Sequence, residues 1–269
     1  MKFIKLAGAL IAAALVAPAA QADKLDDIIA SGTLRCAVVL DFPPMGSRDA
    51  NNEPVGFDVD YCNDLAKALD VEAEIVETPF PDRIPALVSG RADVGIASTS
   101  DTLERARTVG FSIPYFAFTF NVVTNADAGL ETYEALAGQT VGSVAGTYEA
   151  IRLEEDINEW GNGGSFRSYQ SQADVFLALS QGQIDATVVT STVASAIVQG
   201  GKYEGLSMTG EAPYDIDYVG LIALRQEYGL LNYLDLFVNQ QVRTGRYDEL
   251  YEKYIGGDAP RLTVDKVYY

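Results

Sequence analysis

The amino-acid sequence predicts an α/β protein of two lobes, each built on a parallel-rich sheet, with two hinge strands joining them. Short β-rich runs alternate with helical patterns through most of the chain, which is typical of parallel sheets covered by helices. Residues 115–124 form an aromatic and β-branched run without a turn, longer than the ~5 to 6 residues of an ordinary strand. We interpret this run as a strand that leaves one lobe for the other, and residues 214–219 as the return crossing.

Six runs have the composition of strands: residues 34–40, 73–77, 93–97, 140–144, 184–190 and 219–224. Between the first two, Val59, Cys62 and Leu65 recur at helical spacing and predict an amphipathic helix whose buried face carries Cys62. Residues 234–255 are predicted to be helical and to return to the first lobe.

The N-terminus has the pattern of a secretory signal peptide. Lys2 and Lys5 precede an apolar run at residues 6–17, and the small residues near Ala22 predict cleavage after it. A membrane anchor would need a longer apolar span, and no cysteine lies near the cleavage site to carry a lipid. We therefore expect the chain to be exported to the periplasm.

Export bears on the two cysteines of the chain, Cys36 and Cys62. Cys36 lies in the first predicted strand and Cys62 in the helix that follows it. In an oxidising compartment we expect a disulfide between them, and two buried thiols are the alternative.

The composition excludes several classes of function. The chain has 38 Asp+Glu against 19 Lys+Arg, and loss of Lys2 and Lys5 with residues 1–22 leaves a net charge of −21. Recognition of nucleic acid needs basic patches, so we expect no nucleic-acid partner. The chain contains no histidine, which excludes His-based catalysis and His metal ligation. We predict no cofactor and no metal.

Ligands of open parallel sheets bind beyond the carboxyl ends of the strands, where helix N-termini converge. The residues after the predicted strands include aromatic rings, hydroxyls and one arginine, but no nucleophile with a base: Phe42, Phe80, Ser98, Ser100, Arg105, Thr147, Tyr148 and Thr190. Singly, Ser100, Thr147 and Thr190 are explained as helix caps, and Arg105 as an exposed partner of Glu104. Only their convergence on one edge indicates a binding site.

Several motifs occur in an order shared with a known family: GFDVD at 56–60, RIPAL at 83–87, residues 93–105, FSIPY at 111–115, VGS at 141–143, GRY at 245–247 and KYIG at 253–256. In them the chain resembles the amino-acid class of periplasmic substrate-binding proteins of ABC importers, bacterial extracellular solute-binding protein family 3. The resemblance covers essentially the whole mature chain. The cysteine pair is similar to that of the branch that binds a broad range of L-amino acids.

The resemblance implies the type II periplasmic binding protein fold, with residues 23–115 and 220–269 in lobe 1 and residues 116–219 in lobe 2. It implies a binding protein, not an enzyme, that closes on an amino acid or related small carboxylate. Its partners would be that solute and the membrane subunits of an importer. We expect a monomer.

The resemblance also implies roles for individual residues. Arg105 matches the arginine that grips the ligand carboxylate, which a planar guanidinium suits. Ser98 and Ser100 match contacts to the ligand's ammonium and carboxylate, and Thr147 and Tyr148 match contacts from the second lobe. Phe42 and Phe80 match the two aromatic residues that flank the ligand side chain.

Two positions depart from the family. Thr190 stands where many relatives have an aspartate for the α-ammonium, and Val39 stands where an aspartate often lies near the ligand side chain. Asp217, in the second crossing, is a candidate for the missing acid, or else a solvated loop residue. Two alternatives therefore stay open: a compatible solute as ligand, or a periplasmic enzyme such as a dehydratase, with Asp41, Asp217 or Glu149 as the acid.

Overall fold

The computed structural model describes residues 23–260 and 262. Its helices and strands are, in chain order, α1 (Lys24–Ser31), β1 (Thr33–Val38), β2 (Ser47–Arg48), β3 (Pro54–Val55), α2 (Phe57–Leu69), β4 (Glu72–Glu77), α3 (Arg83–Val88), β5 (Val94–Ser100), β6 (Val109–Phe118), β7 (Phe120–Asn125), β8 (Thr140–Val144), α4 (Tyr148–Trp160), β9 (Ser165–Tyr169), α5 (Gln172–Ser180), β10 (Ala186–Thr190), α6 (Ser191–Gly200), β11 (Leu206–Glu211), β12 (Asp217–Leu224), α7 (Tyr228–Arg243) and α8 (Arg246–Tyr254). The predicted signal peptide, residues 1–22, lies outside the described residues. None of the described helices is long and apolar enough to cross a bilayer.

Two five-stranded sheets carry the two lobes, in the orders β4-β1-β5-β12-β6 and β11-β7-β10-β8-β9. β1 pairs in parallel with β4 and β5, and β8 pairs in parallel with β9 and β10. The other pairings within these sheets are antiparallel, and each involves β7 or β12. The predicted two-lobe α/β fold is confirmed, but both sheets are mixed, because β7 and β12 are the strands that receive the chain as it crosses.

The two crossings lie where the sequence predicts them. The run at 115–124 is divided at Thr119: β6 ends at Phe118 in the first sheet, and β7 begins at Phe120 in the second. On the return, β11 ends in the second sheet and β12 begins at Asp217 in the first. The lobe ranges given above stay a prediction.

The predicted disulfide is present. Cys36 in β1 is bonded to Cys62 in α2, with the two Cα atoms 6.3 Å apart. Both residues are buried, so the bond fastens α2 to the first sheet from within the core.

The predicted C-terminal helix is two helices. α7 and α8 are separated by Thr244 and Gly245, and Gly245 has a left-handed backbone with φ of 82°, which suits glycine. α7 packs on β6 and α8 on α2, so this segment returns to the first lobe as expected.

Candidate functional site

A small cavity lies between the lobes, where β5 and β10 end and β12 begins. It has about 10 Å³ for the centre of a water molecule, which is room for about one water. Its walls must therefore separate to admit a larger solute. The residues that line it come from both lobes and both crossings: Phe42, Phe80, Arg83, Ser98, Ser100, Phe118, Thr147, Tyr148, Glu149, Thr190 and Asp217.

The structure brings together eight of the nine predicted ligand-binding residues at this cavity. Arg105 is the exception, because it lines a neighbouring groove between the lobes instead. Phe80, Arg83 and Tyr148 line both the cavity and the groove. Contact of these residues with a ligand stays a prediction.

Ser98 has a strained backbone at the edge of the cavity. Its φ is 47°, in the left-handed region that non-glycine residues rarely adopt and that is common at binding sites. The Ser98 N–H donates to the Tyr115 hydroxyl at 3.0 Å, and that hydroxyl donates to Asp58 at 2.7 Å. The Ser98 hydroxyl also donates to Asp58, at 3.3 Å. Burial raises the pKa of Asp58 to about 8, against these hydrogen bonds.

Arg83 is buried, and its hydrogen bonds within the described residues all go to backbone carbonyls. It donates to Phe80 at 2.9 Å, to Ala97 at 3.0 Å, to Ser98 at 2.8 Å and to Gly146 at 2.7 Å. Burial and the nearby Arg105 lower its pKa to about 9. Because Gly146 follows β8 in the second lobe, Arg83 both supports the Ser98 turn and joins the lobes.

Arg105 converges on the same carbonyl. It donates to Gly146 at 2.8 Å and to Ser100 at 3.1 Å, and burial lowers its pKa. Gly146 has a φ of 79°, and an added Cβ would lie 3.3 Å from Cα of Pro81. Glycine is therefore required there by both the backbone and the close approach of the lobes.

Two carboxyl groups, those of Asp217 and Glu149, line the cavity. Asp217 accepts a hydrogen bond from the Ser100 hydroxyl at 3.0 Å, and burial raises its pKa to about 7. Burial also raises the pKa of Glu149 to about 7, with Asp217 adding to the effect. Among residues 23–260 and 262, no cluster of three or more His, Cys, Asp or Glu suits a metal ion.

Three phenylalanines form the apolar wall. The ring of Phe42 packs edge-on against Phe80, with centroids 5.0 Å apart, and against Phe118 at 5.8 Å. Phe118 is the last residue of β6. The apolar surface therefore continues from the first lobe into the crossing strand.

Two threonine hydroxyls of the second lobe lie close to polar groups of neighbouring residues in the sequence. The Thr147 hydroxyl donates to Val144 at 2.9 Å and accepts the Ala150 N–H at 3.2 Å, so it caps α4. The Thr190 and Thr192 hydroxyls lie 3.2 Å apart. The capping explanation therefore holds for the Thr147 side chain, although both threonines line the cavity.

Sequence reasoning missed the roles of Arg83, Phe118 and Asp58, and treated Glu149 only as a possible catalytic acid. Arg83 and Asp58 lie inside the quoted motifs but not at a predicted strand end. Phe118 lies inside the long run, where only the break at Thr119 assigns it to the cavity. The available signal was a charged residue, Asp58 or Arg83, within a largely apolar motif, because a charged side chain that is buried needs a polar partner.

The fold and the cavity together define a class: two α/β lobes, crossed twice by the chain, that enclose a small polar site between them, as in binding proteins that close on a solute. The chain belongs to the bacterial extracellular solute-binding proteins, family 3, whose model matches residues 34–257.

Similar proteins include both curated sequences and solved structures. The histidine-binding periplasmic protein of Escherichia coli is 26% identical over 226 residues, which is 81% of this chain and 85% of that protein. An ancestral arginine-binding protein bound to arginine is 31% identical, with a TM-score of 0.78, over 84% of this chain and 99% of the other. An ancestral amino acid-binding protein, described as a precursor of cyclohexadienyl dehydratase, is 28% identical, with a TM-score of 0.76, over 87% and 100%.

Proposed function

We propose that this protein captures an amino acid, or a closely related small carboxylate, between its lobes and delivers it to an ABC importer. The observation that carries the proposal is the charge arrangement between the lobes. Arg83, Asp217 and Glu149 line the small cavity, and Arg105 lines the adjoining groove. Opposite charges in one enclosed site suit a zwitterion. The named ligands of the relatives support the same class of solute.

Binding proceeds by exchange of inter-lobe bonds for ligand bonds. Arg105, which donates to the Gly146 carbonyl, turns its guanidinium to the ligand carboxylate, where two parallel charge-assisted bonds form. The strained Ser98 turn and Ser100 offer backbone and hydroxyl groups to the polar end of the ligand. Phe42, Phe80 and Phe118 enclose its side chain. Contacts from both lobes then favour the closed state.

The protein acts without catalytic turnover and works in the periplasm as a monomer, after removal of residues 1–22. The relatives described above carry names of binding proteins, although one is a precursor of a dehydratase. Incubation of purified protein with prephenate, followed by product analysis, tests the absence of turnover. Formation of phenylpyruvate at a rate that depends on Glu149 or Asp217 would favour an enzyme instead.

The ligand class is tested directly on the natively folded protein. Mass spectrometry of solutes released by mild denaturation identifies what co-purifies, and a thermal-shift screen compares L-amino acids, betaines and simple carboxylates. We expect at least one L-amino acid to raise the melting temperature, since a ligand that binds only the folded state stabilises it. If no amino acid is released or raises the melting temperature, the amino-acid assignment is wrong.

A further inference from the structure

Glu149 places a buried carboxyl in the wall of the cavity, and one of its two oxygens lacks a hydrogen-bond partner among the described residues. It is the second residue of α4, and only 3% of its surface is exposed. Its Oε1 atom has no hydrogen-bond partner among the described residues. An acid in the first turn of a helix usually lies in solvent, where it complements the helix dipole. A buried carboxylate oxygen without a partner is costly, and a donor on a bound ligand would remove that cost.

Among the described residues no cationic group forms an ion pair with Glu149, although the charge of Arg83 lowers its pKa against the effect of burial. Arg83 from α3 is committed to backbone carbonyls, and Arg105 to Ser100 and Gly146. Asp217 at the start of β12 adds a second negative charge, and Tyr214 lies close enough for its own pKa to respond to Glu149. No ion pair of Glu149 or Asp217 within 4.0 Å occurs in the described part of the chain.

We propose that Glu149, with Asp217, receives the cationic nitrogen of the ligand and so selects zwitterions over simple carboxylates; this rests on the proposed function. A protonated amine offers up to three N–H donors, which two carboxylates and Ser98 can accept. Thr190 cannot neutralise such a charge, because its hydroxyl is a neutral group already beside Thr192.

Glu149 also selects by repulsion. It directly follows Thr147 and Tyr148 at the start of α4, where an ionised side chain lies near the carboxylate of any bound ligand. A ligand with a carboxylate and no cation therefore meets an uncompensated like charge, whereas a zwitterion brings its own compensation. Discrimination of this kind combines attraction to one ligand with rejection of another.

The test compares matched pairs of solutes on wild type, Glu149→Gln and the control Glu154→Gln, which changes an exposed acid on the same helix. The pairs are L-alanine with propionate, L-leucine with isocaproate and L-glutamine with glutaramate, and the second member of each pair lacks a cationic group. We expect wild type and the control to prefer the amino acid in each pair that binds, and Glu149→Gln to reduce that preference by about 10-fold or more.

Proton release provides a second readout that a merely structural role would not change. Burial raises the pKa of Glu149 to about 7, so part of the population is protonated at neutral pH, and a bound cation lowers that pKa and expels the proton. Calorimetry with the tightest-binding amino acid in two buffers of different ionisation enthalpy should show proton release in wild type and less in Glu149→Gln. Should Glu149→Gln fold poorly, the double variant Glu149→Gln/Thr190→Asp should fold no better but restore the preference in its folded fraction.

The outcomes separate this inference from the proposed function. If amino acids bind but the preference and the proton release are the same in Glu149→Gln as in wild type, the role of Glu149 is wrong, and the proposed function stands. If no amino acid binds wild type, the amino-acid assignment and the role of Glu149 are both wrong.

Discussion

Arg83 and Gly146 join the two lobes directly: the guanidinium Nη2 donates to the Gly146 carbonyl at 2.7 Å. The same guanidinium holds the Ala97 and Ser98 carbonyls at 3.0 and 2.8 Å. One side chain therefore links the strained turn of the first lobe to the loop before α4 in the second. The closure of the lobes and the shape of the site depend on a common group.

Replacement of Arg83 by Met should weaken both the contact between the lobes and the binding of the ligand. The change keeps an apolar stem but removes the Arg83 donor from the carbonyls of Phe80, Ala97 and Ser98, whereas the Gly146 carbonyl still accepts from Arg105. Each lost bond costs ~1 to 3 kcal/mol, in part offset by relaxation. We expect a lower melting temperature and amino-acid affinity reduced by roughly 10-fold or more. Scattering of the ligand-free protein should show a larger radius of gyration. An unchanged radius together with unchanged affinity would contradict the link between the lobes. Arg91→Met, on the exposed surface, is the control.

Replacement of Arg105 by Ala should abolish tight binding while the fold stays intact. Removal of one side of a buried charge pair costs about 2 to 5 kcal/mol, or roughly 30-fold to several thousand-fold in affinity. Arg105→Lys should also bind weakly, because a point charge cannot form two parallel bonds. Calorimetric titration measures both, with Arg107→Ala as control, since Arg107 is exposed in the same short helical turn. Wild-type affinity in Arg105→Ala would place the ligand carboxylate elsewhere.

The stability of the ligand-free protein should fall as pH rises from about 4 to about 8. Burial raises the pKa of Asp58 to about 8, and those of Glu149 and Asp217 to about 7. The folded state therefore holds protons that the unfolded state has lost, so these groups favour folding below the unfolded pKa and lose that effect as pH passes the folded pKa.

Asp58 provides the matched variant for this pH dependence. Asp58→Asn keeps the shape but cannot titrate, although Tyr115, Ser98 and Arg83 still face it. Between pH 5 and 7 it should remove up to about 1.4 kcal/mol per pH unit from the slope of unfolding free energy against pH. Urea unfolding at several pH values measures the slope. Identical slopes in both proteins would show that Asp58 is ionised throughout.

The sequence predicted the large elements of the fold well because their signals are local. Strand composition located six strands to within three residues at each end, and the lack of a turn in residues 115–124 located the first crossing. The break at Thr119 has no local signal, since the residues around it favour strand on both sides. It follows from the change of sheet, which is a long-range property.

The site was predictable where residues follow strand ends, as Ser98, Ser100 and Thr190 do. The inter-lobe bonds were not, because they depend on how two separate sheets approach each other. Arg83 and Gly146 are 63 positions apart in the sequence, and the residue pattern of neither segment indicates that they are in contact. The same holds for Glu149, which is a first-turn acid in sequence and a buried cavity wall only in the assembled protein.

Thr190→Asp tests how the cavity treats a further acid at the position where relatives carry one. Thr190 is buried and precedes α6 without a side-chain cap bond, and aspartate is well suited to a helix N-cap, so the fold should tolerate the change. A ligand with a protonated amine gains a charged partner, and its affinity should be preserved or rise by up to about 10-fold. Glycine betaine has no N–H to donate, and its affinity should fall because the new carboxylate is left without a hydrogen bond in a closed cleft. Thermal shifts of wild type, Thr190→Asp and the control Thr192→Asp, whose residue lines a groove near the crossings and not the cavity, measure both effects. If betaine but no amino acid shifts the wild type, and Thr190→Asp loses the betaine shift, the site belongs to an alkylated solute.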